Sequence, residues 1–150
     1  MLEKLKEIRE YEGYTQQEIA DVLKVKRATY AGWENGKDMI PLSKLNILAN
    51  FYHTSLDYLI GRSPTKEEIK NIQEIDKATV SKNLKKLRED KNISQKELAE
   101  KISSSQPNIH KYESEKSLIT TYYALEFCKQ YDYSLDELVG REKEKTTKHK

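Results

Sequence analysis

Shifted by 79 residues, this chain lies on itself. Residues 5–62 align with 84–141 without a gap, and 17 of the 58 pairs are identical. A unit this long exceeds the ~20–50 residues of a solenoid module and has the length of a small domain. Two such domains account for most of the 150 residues, which excludes a single large core. The layout that follows is a first domain over 1–62, a linker over 63–79, a second domain over 80–141 and a tail over 142–150.

The single cysteine, Cys128, excludes an intrachain disulfide and a multi-cysteine zinc site. It aligns with Ala49 and sits among Leu125, Phe127 and Tyr131, so it reads as a small core residue. The chain has no apolar run of 18 residues, signal peptide or lipidation motif. A soluble, cytoplasmic protein is therefore expected, with no membrane partner. Net charge is only +2. That is a small footprint for a nucleic-acid binder, and it leaves a protein partner open.

Glycine and proline are scarce, and apolar residues recur at spacings of three and four, the pattern of an all-α chain. In each copy Leu5 and Ile8, or their equivalents, stripe a first helix that ends near Gly13 or Asn92. Thr15-x-x-Glu18 and Ser94-x-x-Glu97 are capping boxes opening a second helix. A third helix is expected near Arg27–Asn35 and Gln106–Ser114. A fourth covers Leu42–Tyr52 and Thr121–Tyr131, and a fifth starts after Ser55 and Ser134. In the linker, Thr65-x-x-Glu68 followed by Ile69, Ile72 and Ile75 predicts a short helix. The last nine residues, EKEKTTKHK, lack an apolar period, so a disordered basic tail is expected there.

A pair of short helices joined by a tight turn is by itself a weak signal. The residues strengthen it. Thr15-Gln16-x-Glu18-Ile19-Ala20, Trp33-Glu34-Asn35-Gly36-Lys37 and Ser55-Leu56-Asp57-Tyr58-Leu59-Ile60-Gly61 recur in the second half. There they read Ser94-Gln95-x-Glu97-Leu98-Ala99, Ser105-Gln106-Pro107-Asn108-Ile109, Tyr112-Glu113 and Ser134-Leu135-Asp136-Glu137-Leu138. On these residues each half resembles the Cro/phage-repressor helix-turn-helix family of XRE type. The implied fold class is all-α, with two tandem five-helix lambda-repressor-like domains joined by a short helical linker.

The resemblance implies sequence-specific binding of a double-stranded DNA operator by a transcriptional regulator, a repressor of phage or mobile-element type. It places Arg27, Ala28, Thr29 and Gly32, and Gln106, Pro107, Asn108 and Lys111, against base edges. It places Gln16, Lys26, Asn35 and Lys37, and Gln95, Ser105 and Lys116, against phosphates. Arg9 with Glu34, and Arg88 with Glu113, fall where related repressors carry a structural ion pair. The chain departs from the family at Lys24 and Ser103, where a turn glycine is usual. It departs again at Lys26, a poor helix cap, and at Glu115, which replaces Gly36 and puts the second loop in doubt.

No nucleophile–base pair, metal-ligand cluster or phosphate-binding glycine loop is visible, so neither an enzyme nor a cofactor is expected. The alternative reading is a helix-turn-helix protein repurposed to bind a protein, such as an antirepressor or a phage inhibitor of a host nuclease. Tyr11, Tyr14, Tyr122, Tyr123 and Tyr133 would serve such an interface. Two different recognition helices in one chain favour a pseudo-dimer on an asymmetric site, with true homodimerisation not required.

Overall fold

The computed structural model describes residues 2–67 and 69–141. Among them lie ten helices and no strand. The first copy contributes α1 (Lys4–Tyr11), α2 (Gln16–Leu23), α3 (Arg27–Glu34), α4 (Leu42–Tyr52) and α5 (Leu56–Leu59). The second contributes α6 (Lys77–Asp90), α7 (Gln95–Lys101), α8 (Gln106–Glu113), α9 (Thr121–Tyr131) and α10 (Leu135–Val139).

Local chemistry explains where these helices start. The Thr15 hydroxyl accepts from the Glu18 amide at 3.1 Å, and the Glu18 carboxylate accepts from the Thr15 amide at 2.9 Å. Ser94 and Glu97 repeat the box at 3.0 and 2.8 Å. Each cap stabilises its helix by about 1 kcal/mol. The apolar stripes then turn inward: Ile19, Ala20 and Leu23 in α2, and Leu98 and Ala99 in α7, are buried. Cys128 is also buried, and that burial pushes its thiol up to about 12, as fits a core residue.

The departures from the family pattern leave the backbone path unchanged. Lys24 and Ser103 both take the left-handed conformation, at φ 58 and 61. After α3, Gly36 turns at φ 83, and Glu115 makes the same turn at φ 65. The two loops close alike, with Lys37 N to Gly32 O at 2.9 Å and Lys116 N to Lys111 O at 3.0 Å. A side chain in this conformation costs about 1–2 kcal/mol, which the second loop carries at Glu115.

The linker differs from expectation. Among the described residues no helix lies between Leu59 and Lys77, and Glu68 falls outside them. The reason is tertiary. The Ile72 carbonyl accepts from the Asn46 and Asn50 side chains at 3.0 and 2.9 Å, and Asn71 accepts from Arg141 at 3.3 Å. These bonds strap the segment along α4 and take a carbonyl that a helix would use. Helical structure resumes only at Lys77, so the linker's last residues extend α6. The expected tail, 142–150, also lies outside the described residues.

The two domains meet through equivalent surfaces. Asp57 accepts from the Leu135 amide at 2.9 Å and the Ser134 hydroxyl at 2.6 Å. Asp136 accepts from the Leu56 and Asp57 amides at 2.7 and 2.9 Å. At the start of α9, the Thr121 hydroxyl donates to the Ile40 carbonyl in the loop that follows α3, at 2.6 Å. Arg141, fully buried, donates to Asn46 at 2.8 Å, to Asn50, and to the Thr54 carbonyl at 3.0 Å. Its counterpart Arg62 instead reaches Asp132 at the surface, at 3.3 Å.

Candidate nucleic-acid interface

Within each domain an ion pair ties the first helix to the end of the third. Arg9 Nε donates to Glu34 at 2.6 Å and a second nitrogen at 3.1 Å, a bidentate clamp, while Nη1 reaches the Tyr14 carbonyl at 2.8 Å. Gln16, first residue of α2, donates to the same Glu34 carboxylate at 3.0 Å. Arg88, Glu113, the Ile93 carbonyl and Gln95 reproduce every bond at 2.7 to 3.1 Å. Burial works to raise the Glu34 carboxyl's pKa, but the hydrogen bonds, led by that from Arg9, outweigh it. The group is held below the usual carboxylate range.

This lattice positions an amide. One N–H of Gln16 or Gln95 is committed to the glutamate, so the side chain is held at the N-terminus of its helix. There the unpaired backbone N–H groups and the positive end of the dipole favour an anion. In the first domain Arg27 also donates to Gln16, at 3.3 Å, linking the start of α3 to the start of α2.

The residues expected at bases and phosphates fall at the starts of α2, α3, α7 and α8, along α3 and α8, and in the loops that follow α3 and α8. Arg27, Ala28 and Thr29 are exposed on the first turn of α3, and Gln106 and Pro107 on that of α8. Asn108 is half-buried and leans on the Ser104 hydroxyl at 3.3 Å, and Lys111 is exposed. Gly32 is buried under the loop, where an added Cβ would meet Lys37 at 3.8 Å. It presents no side chain of its own, and the second copy closes the same loop over Lys111. Lys26, Asn35, Lys37, Ser105 and Lys116 are exposed, and Gln16 and Gln95 half-buried. Ser105 caps α8 through the Asn108 amide at 3.3 Å, whereas Lys26 leaves α3 without a side-chain cap. The Asn35 side chain accepts from the Lys37 amide at 3.1 Å, steadying the loop that carries the lysine.

Most of the tyrosines serve packing. Tyr14 lies against Phe51 at 5.0 Å, Tyr123 against Tyr112 at 6.5 Å and Tyr133 against Phe127 at 5.8 Å. Tyr11 and Tyr122 are the exposed large hydrophobic residues. The described residues hold no group of three or more histidine, cysteine or carboxylate side chains placed to bind a metal. None of their helices is long and apolar enough to cross a membrane.

The residues that join the domains, Asp57, Asp136, Arg141, Asn46 and Asn50, were not singled out from sequence for that role. A signal was present: Ser-Leu-Asp-x-Leu-x-Gly-Arg at 55–62 and 134–141 is the densest run of identity in the repeat.

Comparison with known proteins agrees with this geometry. The helix-turn-helix family profile matches residues 5–59 and again 84–138. The chain is similar to the HTH-type transcriptional regulator AnsR of Bacillus subtilis (strain 168), 36% identical over 66 residues, covering 44% of this chain and 57% of that one. It is also similar to the uncharacterized HTH-type transcriptional regulator YobD of the same organism, 32% identical over 75 residues, covering 48% of this chain and 67% of that one. The match thus spans little more than half of AnsR's length. No solved structure gives a significant match. With the family profile matched over both copies, the chain belongs to the helix-turn-helix family and carries its fold twice.

Proposed function

We propose that this chain is a sequence-specific duplex-DNA-binding transcriptional regulator that inserts α3 and α8 into the major groove. Arg27, Ala28 and Thr29, and Gln106, Pro107, Asn108 and Lys111, face base edges. Arginine can grip guanine O6 and N7, glutamine and asparagine can grip adenine, and the Ala28 and Thr29 methyls can touch thymine. Gln16, Lys26, Asn35 and Lys37, with Gln95, Ser105 and Lys116, hold the phosphates. Repression is steric, through an operator that overlaps a promoter.

One observation carries this reading. Both copies keep the same arginine–glutamate–glutamine lattice, which holds a glutamine at the N-terminus of one helix against the last residue of the next, and in the first copy Arg27, on the exposed first turn of α3, bonds that glutamine. Selection of bound duplexes from a random library, at low and moderate salt, tests it. A defined sequence should emerge and its affinity should fall steeply with salt, because each neutralised phosphate releases counterions. If the enriched duplexes bind no better than random ones at moderate salt, the reading is wrong.

A further inference from the structure

Resting on that reading, we infer that one chain is a complete reader of an imperfect inverted repeat, its two recognition helices held at fixed spacing. A tandem repeat in sequence suggests a tandem repeat in DNA. The domain contacts point the other way. Asp57 meets the start of α10, and Asp136, its equivalent 79 residues on, meets the start of α5. Contacts in which i meets j and j meets i are isologous, and they relate their two bodies by a two-fold axis. Two heads related in this way present their helices to DNA in opposite directions. Their half-sites are therefore inverted.

The junction also restrains the heads. The Thr121–Ile40 bond joins the start of α9 to the loop that leaves α3, and the loops after α3 and α8 are tied back to their own recognition helices at Gly32 and Lys111. Buried Arg141, the last described residue, is gripped by α4 and the strapped linker of the other domain. Rotation of one head on the other would expose two carboxylates and an arginine that are now bonded. The surface that a second chain would use for a two-fold dimer is already filled by the other half of the same chain.

The repeat must be imperfect because the heads differ at equivalent positions. Arg27 occupies on α3 the position of Gln106 on α8, and Ala28 and Thr29 face Pro107 and Asn108. The first head favours guanine where the second favours adenine. This is the specificity that two identical chains on a palindrome could not produce.

The test uses the full chain and its selected duplex. We expect one chain per duplex by native mass measurement, on two dissimilar half-sites in inverted orientation. Replacing either half by an inverted copy of the other should weaken binding about tenfold or more. One extra base pair between the halves turns one half by about 35° and should reduce binding to the level of random duplex. Arg27→Gln, an exposed change, should shift preference toward adenine in one half only. If no sequence is enriched, DNA reading itself fails and takes this inference with it. If a sequence is enriched but is a perfect palindrome bound by two chains, a direct repeat, or a site indifferent to spacing, the DNA reading stands and this inference is overturned. An Arg27→Gln shift in both halves alike overturns it too.

Discussion

Asp57 and Asp136 each cap the helix that carries the other. Asp57 takes the Leu135 amide at the start of α10, and Asp136 takes the Leu56 and Asp57 amides at the start of α5. A short helix leaves its first amides unpaired, and here the partner domain satisfies them. The two halves therefore complete each other's last helix. Asp136→Ala should strand the buried Leu56 amide and the part-buried Asp57 amide and remove the carboxylate that Arg141 approaches at 3.4 Å. We expect a loss of about 2–4 kcal/mol in urea unfolding. Asp57→Ala, half-buried, should cost about 1–2 kcal/mol. A loss below about 0.5 kcal/mol for both would mean that the junction adds little to stability.

Stability should depend on pH in two opposed ways. Burial pushes the Asp136 carboxyl up to about 6, aided by the charge of Asp57 and opposed by the two amides. Between the ordinary carboxylate value of about 4 and this one, the folded chain binds more protons than the unfolded chain. This group's contribution therefore rises as pH falls from about 7 toward about 4. Glu34, held below the usual range, contributes stability that is present at neutral pH and lost as acid protonates it. The urea midpoint should climb modestly on acidification to about pH 5 and fall below about pH 4. Asp136→Asn should flatten the climb. A steady decline from neutral pH, unchanged in that variant, would contradict the assignment.

The ion pair inside each head should matter more than a surface bridge. Arg9→Ala leaves the Glu34 carboxylate buried without its cation, which typically costs about 3–5 kcal/mol. Arg88→Ala should do the same to the second head. Gln16→Ala and Gln95→Ala lie half-exposed and should cost less than about 1 kcal/mol of stability while weakening binding to all duplexes. Equal stability losses for Arg9→Ala and Gln16→Ala would show that the lattice is not anchored by the ion pair.

Glu115→Gly should stabilise the chain by about 0.5–1 kcal/mol, because it relieves a side chain held in the left-handed conformation at φ 65. It also removes a negative charge from the loop that carries Lys116. Thermal unfolding and duplex titration report the two effects separately. A lower melting temperature would mean that the Glu115 side chain contributes a contact of its own.

Lys37→Ala and Lys116→Ala should each lower the dependence of log affinity on log salt by about one while leaving base preference intact. Arg27→Ala and Gln106→Ala should instead cost about 1–3 kcal/mol at the preferred site and relax one half of it. Competition binding against duplexes mutated one half at a time separates these outcomes. A changed base preference in Lys37→Ala would place that side chain in the groove.

The helices and their caps were legible in the chain itself because they rest on neighbours. Thr15 and Glu18 are three residues apart, apolar residues recur every three or four, and the 79-residue repeat shows each signal twice. The exposed first turns of α3 and α8 follow from the same register. The burial of Gly32 is not local, because it depends on a loop that folds back over it. The rest required tertiary structure. Thr65-x-x-Glu68 with its isoleucines has a helix's pattern, but Asn46 and Asn50, more than twenty residues away, capture the Ile72 carbonyl instead. Nothing local in Arg62 and Arg141 tells them apart, yet one lies at the surface and the other is fully buried in the partner domain. The sense of the pairing was also hidden. A repeat states that two domains are alike, but only contacts 77 to 80 residues apart show that the start of α5 meets Asp136 while the start of α10 meets Asp57.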